Sequence, residues 1–178
     1  QVLLEQGQLA LVNGPLAAAE EAFAAVLQLA RQGGRPLIAA RALLGLGQTA
    51  YEAGAFARAH DLLAEGLAID LSERAGLTAT LRAALALALL GLDRPVAALT
   101  EAEAALATLN AGEHVVLDRV YIAWSQIMAW RTSGRAAAAR ALQQEAATWL
   151  RDEANTLPAA WQSLFLAATP WRRMLLRA

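Results

Sequence analysis

A short pattern that returns four times constrains the fold of this chain more than any other feature. In each copy a glycine or an aspartate is followed five residues later by an alanine, and then by apolar residues at helical spacing. The copies read GPLAAAEEAFAAVL, GAFARAHDLLAEGL, DRPVAALTEAEAAL and GRAAAARALQQEAA, and they begin at Gly14, Gly54, Asp93 and Gly134. Their starts are 40, 39 and 41 residues apart. A regular period of this size predicts a stacked array of helical repeats.

Each copy also predicts a turn between two antiparallel helices. A glycine just past a helix end relieves the strain of a left-handed backbone, as we expect at Gly14. Pro15 then fits the first turn of the next helix, where no backbone donor is missed. No segment shows sustained alternation of polar and apolar residues, so we predict no sheet. The predicted helices cover residues 2–12, 15–32, 37–53, 55–71, 73–91, 94–110, 114–132 and 135–153.

Other residues supply helix-boundary signals. The run GGRP at 33–36 breaks the chain between the first two repeats. Ser72 is a candidate N-cap, and the run NAG at 110–112 closes the third pair of helices. Thr156 and Thr169 stand just before prolines, which is typical of helix starts. The sequence therefore predicts two closing helices, at 158–168 and 170–177.

Composition narrows the class of protein further. Hydrophobic residues make up 57% of the chain and charged residues 17%, which fits helices that neighbours bury on two sides. The longest clean apolar stretch, 83–92, is too short for a bilayer span of about 20 residues. A net charge of −1 shows no footprint for nucleic acid. The absence of cysteine excludes disulfides and thiolate metal sites. We expect a cytoplasmic protein that binds neither nucleic acid nor membrane.

The recurring small residues carry a packing argument. An alanine five residues after each turn lacks bulk where two helices would cross closely, and Gly7 and Gly47 occupy the matching place in first helices. Larger side chains then fill the space between pairs, because small facing large gives dense interdigitation. The expected small positions are Ala19, Ala59, Ala98 and Ala139, and the expected large ones are Phe23, Leu27, Leu63, Leu67 and Leu106. The fourth copy weakens, with Ala136, Gln143 and Ala147 where earlier copies mostly have larger apolar groups.

The segment LLGLGQTAYEAGAFARAHDLLAEGLAID at 43–70 resembles a tetratricopeptide repeat. Seven residues stand at that family's signature positions, while Ala50 stands where an aromatic is usual. The tail at 124–178 is similar to the closing segment of MalT-like arrays, whose helices are longer than usual. Such arrays belong to large bacterial proteins with ATPase, cyclase or DNA-binding domains. The signature residues are Leu43, Leu46, Gly47, Gly54, Phe56, Ala59 and Leu67 in the repeat, and Gly134, Arg135, Phe165, Leu166, Pro170, Arg173, Leu175 and Leu176 in the tail.

The repeats and the resemblance together predict an all-α fold. We expect a right-handed α-solenoid of about four antiparallel helix pairs, followed by C-terminal capping helices. The chain would form one domain, with repeats at about 1–34, 36–71, 73–111 and 113–153 and a cap at 157–177. Because the sequence begins with Gln1 inside a predicted helix, we also expect a fragment of a longer protein.

The sequence offers no catalytic residue. It contains no lysine, so a Walker A loop is excluded, and it has neither an HExxH nor a G-x-S-x-G motif. His60 and His114 lie far apart, and we expect surface or packing roles for both. The pairs Glu20–Glu21 and Glu101/Glu103 are interpreted as solvated helix faces. We therefore expect no enzyme activity, no metal and no cofactor.

The resemblance places the first helix of each pair on a concave surface. In the fourth repeat Tyr121, Trp124, Met128 and Arg131 share one helix face, because their spacings are three, four and three. Aromatic, methionine and arginine side chains are typical of recognition hot spots. The predicted partner-binding residues are Arg41, Gln48, Tyr51, Leu87, Tyr121, Trp124, Met128 and Arg131, with Leu44, Thr80, Ala83 and Leu90 on the same faces.

Two interpretations of the five tryptophans remain open, since all of them lie in the last third of the chain. They line the binding groove, or the closing helix with Trp161 and Phe165 docks on the fourth repeat and buries them. The function predicted first is a non-catalytic module of a bacterial regulator that binds a protein, a peptide or a small effector. The alternative is a structural spacer or a self-association element that forms a homodimer.

Overall fold

The computed structural model describes residues 2–71, 74–109 and 116–177, and every regular element within these ranges is an α-helix. The all-α class is therefore confirmed. Ser72, the run at 110–112 and His114 lie outside the described residues. In chain order the helices are α1 (Val2–Asn13), α2 (Leu16–Gln32), α3 (Pro36–Glu52), α4 (Phe56–Leu67), α5 (Ala75–Gly91), α6 (Pro95–Leu109), α7 (Val116–Thr132), α8 (Ala136–Asn155), α9 (Ala159–Ala167) and α10 (Pro170–Leu175).

The predicted bounds agree with the observed ones within two residues, apart from α4, which ends at Leu67 instead of 71. The chain leaves the helix there because Ile69 and Leu71 pack into the core. Thr169 caps α10, since its hydroxyl accepts a hydrogen bond from the backbone N–H of Arg172. Thr156 does not cap α9 as predicted: it ends α8, and its hydroxyl donates to the carbonyl of Glu153 at 2.7 Å.

The glycine-or-aspartate position of the pattern is a left-handed residue in three of the four copies. Gly54, Asp93 and Gly134 have φ values of 73°, 58° and 77°. In each turn the following residue donates its backbone N–H to a carbonyl five residues back, as Ala55 does to Ala50 at 2.9 Å. This is the bonding pattern of a Schellman motif, which satisfies the orphan carbonyls at a helix end. Glycine is favoured there, and aspartate is one of the few alternatives.

The prediction of a left-handed residue is wrong for the first copy, because Gly14 does not have a positive φ. Its N–H bonds to the carbonyl of Ala10, four residues back, so the helical bonding simply continues to the end of α1. The left-handed glycine nearest to it in the chain is Gly34, with φ 59°, in the predicted break between α2 and α3.

These backbone conformations predict opposite effects at two turns. Gly134→Ala is expected to lower the free energy of unfolding by about 1–2 kcal/mol, because a Cβ is strained at positive φ although nothing lies within 4 Å to clash with it. Asp93→Gly is expected to raise stability, because it relieves the same strain. Urea denaturation followed by circular dichroism measures both. Equal effects of the two substitutions would contradict a strain origin.

The helices pack in neighbouring pairs. α1 packs on α2, α3 on α4, α5 on α6 and α7 on α8, and each second helix also packs on the first helix of the following pair. Successive first helices contact one another as well, from α1 to α3, α5 and α7. As a result α5 is surrounded by α3, α4, α6 and α7. This position explains its apolar sequence, because a helix that is hydrophobic all round must be buried on all sides.

Small residues do face large ones inside the pairs. The alanines five residues after each turn, Ala19, Ala59, Ala98 and Ala139, are all fully buried. A Cβ built on Gly7 would lie 2.7 Å from Cε1 of Phe23, and one built on Gly47 would lie 2.5 Å from Cγ of Leu63. Each glycine therefore admits a large side chain from its own partner helix, as the matching places of Gly7 and Gly47 predict.

The predicted weakening of the fourth copy has a structural role. Gln143 stands at the phase of Phe23 and Leu63, and it is buried although polar. Its amide nitrogen donates to the carbonyls of Met174 and Leu175 at 3.1 and 3.2 Å. The apolar contact of the earlier repeats is thus replaced by a hydrogen-bonded attachment of the last helix, α10.

The carboxylates predicted to be only solvated form ion pairs between helices. Glu20 accepts from Arg58 at 2.6 Å, Glu101 from Arg82 at 2.8 Å and Glu103 from Arg135 at 2.8 Å. A further pair joins Arg31 to Glu65. Three of these pairs are about half exposed and the Arg82–Glu101 pair about a third or less, so each exposed pair stabilises the fold by less than about 1 kcal/mol. Two of the pairs join α2 to α4, one joins α5 to α6, and one joins α6 to Arg135 at the start of α8.

Candidate ligand site

The last two helices, α9 and α10, pack on α8 and on each other, and side chains of α10 reach α7. Trp171, at the start of α10, meets the ring of Tyr121 from α7 edge-on, with ring centroids 5.7 Å apart. Leu175 is fully buried in one cluster with Trp124, Leu87 and Ile127. Trp124 is consequently only 4% exposed. The C-terminal segment therefore covers the part of the first-helix surface that α7 contributes.

A cavity of about 420 Å³, here called the inner pocket, remains between the first helices and this segment. Side chains from α1, α3, α5 and α7 line it, and residues 168–173 close it. Its polar wall includes Gln48, Tyr51, Glu52, Thr80, Asp118 and Tyr121, and its C-terminal wall includes Thr169, Trp171, Arg172 and Arg173.

The two tyrosines of the inner pocket are held in the neutral form. Burial raises the pKa of Tyr121 well above the ordinary value of 10.0, and a side-chain hydrogen bond with Gln48 offsets part of this effect. Burial also raises the pKa of Tyr51, and the adjacent carboxylate of Glu52 adds to the rise. Both phenols are thus protonated at neutral pH and offer O–H donors to a ligand in the pocket.

The chain is expected to lose stability steeply above about pH 10. The chain has no lysine and no cysteine, so its two tyrosines, whose pKa values are raised in the folded state, are the groups expected to dominate there. A pKa that is raised in the folded state stabilises the fold below the unfolded value of 10.0, and this stability is lost as pH rises beyond it. Each tyrosine contributes a slope of up to about 1.4 kcal/mol per pH unit.

Urea denaturation at a series of alkaline pH values measures this slope. Tyr121→Phe keeps the aromatic ring beside Trp171 and removes one titrating group, so the fall in stability should be about half as steep. An unchanged slope in the Tyr121→Phe variant would contradict the assignment of the alkaline transition to these phenols.

The structure brings three of the eight predicted partner-binding residues together. Gln48, Tyr51 and Tyr121 line the inner pocket, as do Leu44 and Thr80 from the same predicted faces. The other five do not line it. Arg41 is exposed on α3, and Met128 is half-buried in the cluster that contains Trp124.

The expected exposure of Leu87 and Trp124 is wrong, because both are buried in one cluster with residues of α7, α8 and α10. Arg131 is exposed, but its guanidinium donates to the side-chain carbonyl of Gln143, so it supports the attachment of α10. Of the two interpretations of the tryptophans, the cap holds for Trp124. It fails for Trp161, which is 62% exposed on α9.

Sequence reasoning missed Arg172, which lines the inner pocket and is only 7% exposed. Nothing local distinguishes it from the neighbouring Arg173, which is exposed. Gln143 did leave a signal, since a polar residue stands at a phase where earlier copies have Phe23 and Leu63. That signal indicated a departure from the repeat, but it did not predict that Gln143 attaches α10.

The described histidine and carboxylate side chains do not come together into a metal site. His60 is half-buried and lies 3.0 Å from a carboxylate oxygen of Asp61, its neighbour in the chain. Within the described ranges, no three His, Asp or Glu side chains are placed to hold a metal ion. No described helix has the length and apolar character needed to cross a membrane. The sequence matches no protein-family model, and the search of curated proteins gave no match.

Proposed function

We propose that this domain is a non-catalytic binding module and that its ligand site is the inner pocket. The observation that carries the proposal is a single cavity to which α1, α3, α5, α7 and the C-terminal segment all contribute. Its volume of about 420 Å³ falls within the range of roughly 300–1,000 Å³ that small-molecule sites occupy. Aromatic walls with a few convergent polar groups are the usual lining of such sites.

The covered groove favours one kind of ligand over another. Because α10 packs beside Tyr121 and buries Trp124, the first helices do not present a continuous open surface at α7. The remaining space suits a small effector, or the side chains of a short peptide end. The neutral phenols of Tyr51 and Tyr121 and the amide of Gln48 would bind its polar groups.

The proposal includes the finer architecture and the context. Contacts between successive first helices, and between each second helix and the next pair, support a right-handed α-solenoid of four helix pairs with a C-terminal cap. The resemblance to MalT-like tetratricopeptide arrays supports a module of a bacterial signalling or transcriptional regulator in the cytoplasm. Ligand binding in this module would then be sensed by the rest of such a regulator.

Screening by thermal denaturation tests the site. A metabolite library and a library of short peptides are screened for compounds that raise the melting temperature of the wild-type protein. Hits that bind in the inner pocket should lose their effect in Gln48→Leu, which removes the amide beside Tyr121. They should keep it in Gln28→Leu, which changes an exposed glutamine of α2. Hits that survive Gln48→Leu would place the site elsewhere, and a screen without hits would count against a binding module.

A specific observation also favours self-association. Val2 and Leu9 are exposed large apolar residues of α1. They stand seven residues apart, so they share one helix face. A second copy of the chain could cover this face. Light scattering over a range of concentrations should then show a dimer for the wild type and a monomer for Leu9→Glu, whereas a wild-type monomer at every concentration would exclude this function.

A further inference from the structure

A second cavity, here called the end groove, lies between the end of α1 and the C-terminal segment. Its volume is about 640 Å³. Asn13 contributes from α1, and the rest of the lining comes from residues 157–172. The walls are almost wholly apolar and consist of Leu157, Pro158, Trp161, Leu164, Phe165 and Ala168.

Among the described residues that line the end groove, Arg172 is the one that carries a charge. It is only 7% exposed, and no carboxylate in the described part of the chain lies within salt-bridge distance of it. Its Nη1 donates to the carbonyl of Phe165 at 2.8 Å, while its Nε is buried without a partner. A buried charge is normally paired, because desolvation without a counter-charge is costly.

Two aromatic rings near Arg172 hold its guanidinium in an orientation that suits a planar anion. Its Cζ lies 4.7 Å from the ring centroid of Phe165 and 5.3 Å from that of Trp171. Aromatic contacts of this kind hold the planar guanidinium in place but do not neutralise its charge. Burial lowers the pKa of Arg172, in line with a cation that has lost water and gained no carboxylate.

Two large apolar side chains that line the same groove are exposed to solvent. Trp161 is 62% exposed and Leu164 is 64% exposed, and both line the end groove on α9. Adjoining exposed apolar side chains commonly mark a binding surface. The groove thus combines apolar walls with one deeply placed cation that has no carboxylate partner among the described residues.

We propose that the end groove binds a small organic acid with an apolar body. The carboxylate pairs with the guanidinium of Arg172, because arginine matches the planar geometry of a carboxylate and a single cation neutralises a single negative charge. The apolar body covers Trp161 and Leu164. The inner pocket is the less selective place for such an anion, since the carboxylates of Glu52 and Asp118 line it beside the two arginines. The two cavities share Arg172, but the two proposals fail separately, because Gln48→Leu changes the inner pocket alone and Trp161→Ala changes the end groove alone.

Matched acids and amides test the proposal by isothermal titration calorimetry. Octanoate should bind the wild-type protein about tenfold more tightly than octanamide, or better, because only the acid supplies the counter-charge. N-acetyl-Leu-Phe, as free acid and as amide, forms a second pair that distinguishes a peptide C-terminus from a free organic acid. If either acid binds more tightly than its amide, the result supports recognition of a carboxylate. The acid that binds more tightly shows whether a free organic acid or a peptide C-terminus supplies that carboxylate.

Substitutions assign the binding to the groove. Arg172→Met should abolish the preference for acid over amide, while Arg151→Met, which removes an exposed arginine of α8, should keep it. Trp161→Ala should weaken the binding of octanoate and of octanamide equally, since it removes only part of the apolar wall. Because this variant keeps the buried arginine, it also tests the groove if Arg172→Met does not fold. Leu29→Ala, an exposed apolar residue of α2, is its control.

Four results would overturn the proposal. One is equal affinity of acid and amide, and another is no binding of either acid at about 10 mM. The third is a dimer in light scattering that Trp161→Ala dissociates, because a second copy would then cover the groove. The fourth is an Arg172→Met variant with a lower melting temperature and an unchanged ratio of acid to amide affinity, because Arg172 would then stabilise the fold without binding the acid.

Discussion

Replacing Phe23 with alanine is expected to lower the free energy of unfolding by about 3–5 kcal/mol. Phe23 of α2 is fully buried, and its ring lies between α1 and α3. A Cβ on Gly7 would come within 2.7 Å of this ring and one on Gly45 within 2.5 Å. The two flanking positions have no side chains that could move into the space, so the cavity left by the substitution would stay open. The cost of such a cavity rises with the volume that remains.

Urea denaturation followed by circular dichroism measures this loss. Leu29→Ala is the matched control, because Leu29 belongs to the same helix and is exposed. That substitution should change stability by no more than about 0.5 kcal/mol. A loss of less than about 1.5 kcal/mol for Phe23→Ala would show that α1 and α3 collapse onto the vacated site, and that the glycines do not hold the spacing.

Replacing Gln143 with leucine is expected to cost about 2 kcal/mol and to loosen the C-terminal helices. The amide nitrogen of Gln143 donates to the carbonyls of Met174 and Leu175, and its oxygen accepts from Arg131. Leucine has a similar size but makes none of these bonds. Two carbonyls at the end of α10 and one guanidinium would therefore lose their partner, which costs more than the bond itself is worth.

The loosening has its own readout in tryptophan fluorescence. When α10 detaches, Trp124 and Trp171 become accessible, so acrylamide should quench the fluorescence of Gln143→Leu more strongly than that of the wild type. Gln144→Leu is the control, because Gln144 is the exposed neighbour on the same helix. Identical quenching in the two variants would mean that apolar contacts alone hold α10 in place.

The sequence was informative about what local chemistry decides. Glycine or aspartate at a left-handed turn residue and alanine five residues later are short-range requirements, and they located the turns inside the last three helix pairs, α3–α4, α5–α6 and α7–α8. Gly14 shows the limit of that argument. The same residue type stands at the same phase, yet the backbone there continues its helical bonding, so glycine permits the left-handed conformation without imposing it.

What covers an apolar face could not be predicted from the sequence. The periodicity of α7 places Tyr121 and Trp124 on one face, but it carries no information about a segment some forty residues further along the chain. The structure leaves Tyr121 at the inner pocket and buries Trp124 under Leu175. This separation depends on where α10 docks, and that position depends on Gln143, a residue interpreted from sequence as a decayed repeat position.

Arg172 lines both the inner pocket and the end groove, so the two cavities share one side chain. This shared wall links their occupancies thermodynamically. Two ligands that both contact Arg172 have a coupling free energy, and each must change the affinity of the other by the same factor. A single titration of one ligand in the presence of the other would give the sign of that coupling. If both proposed ligands bind, the guanidinium of Arg172, with Trp171 and then Tyr121 in contact beyond it, would connect the two sites physically.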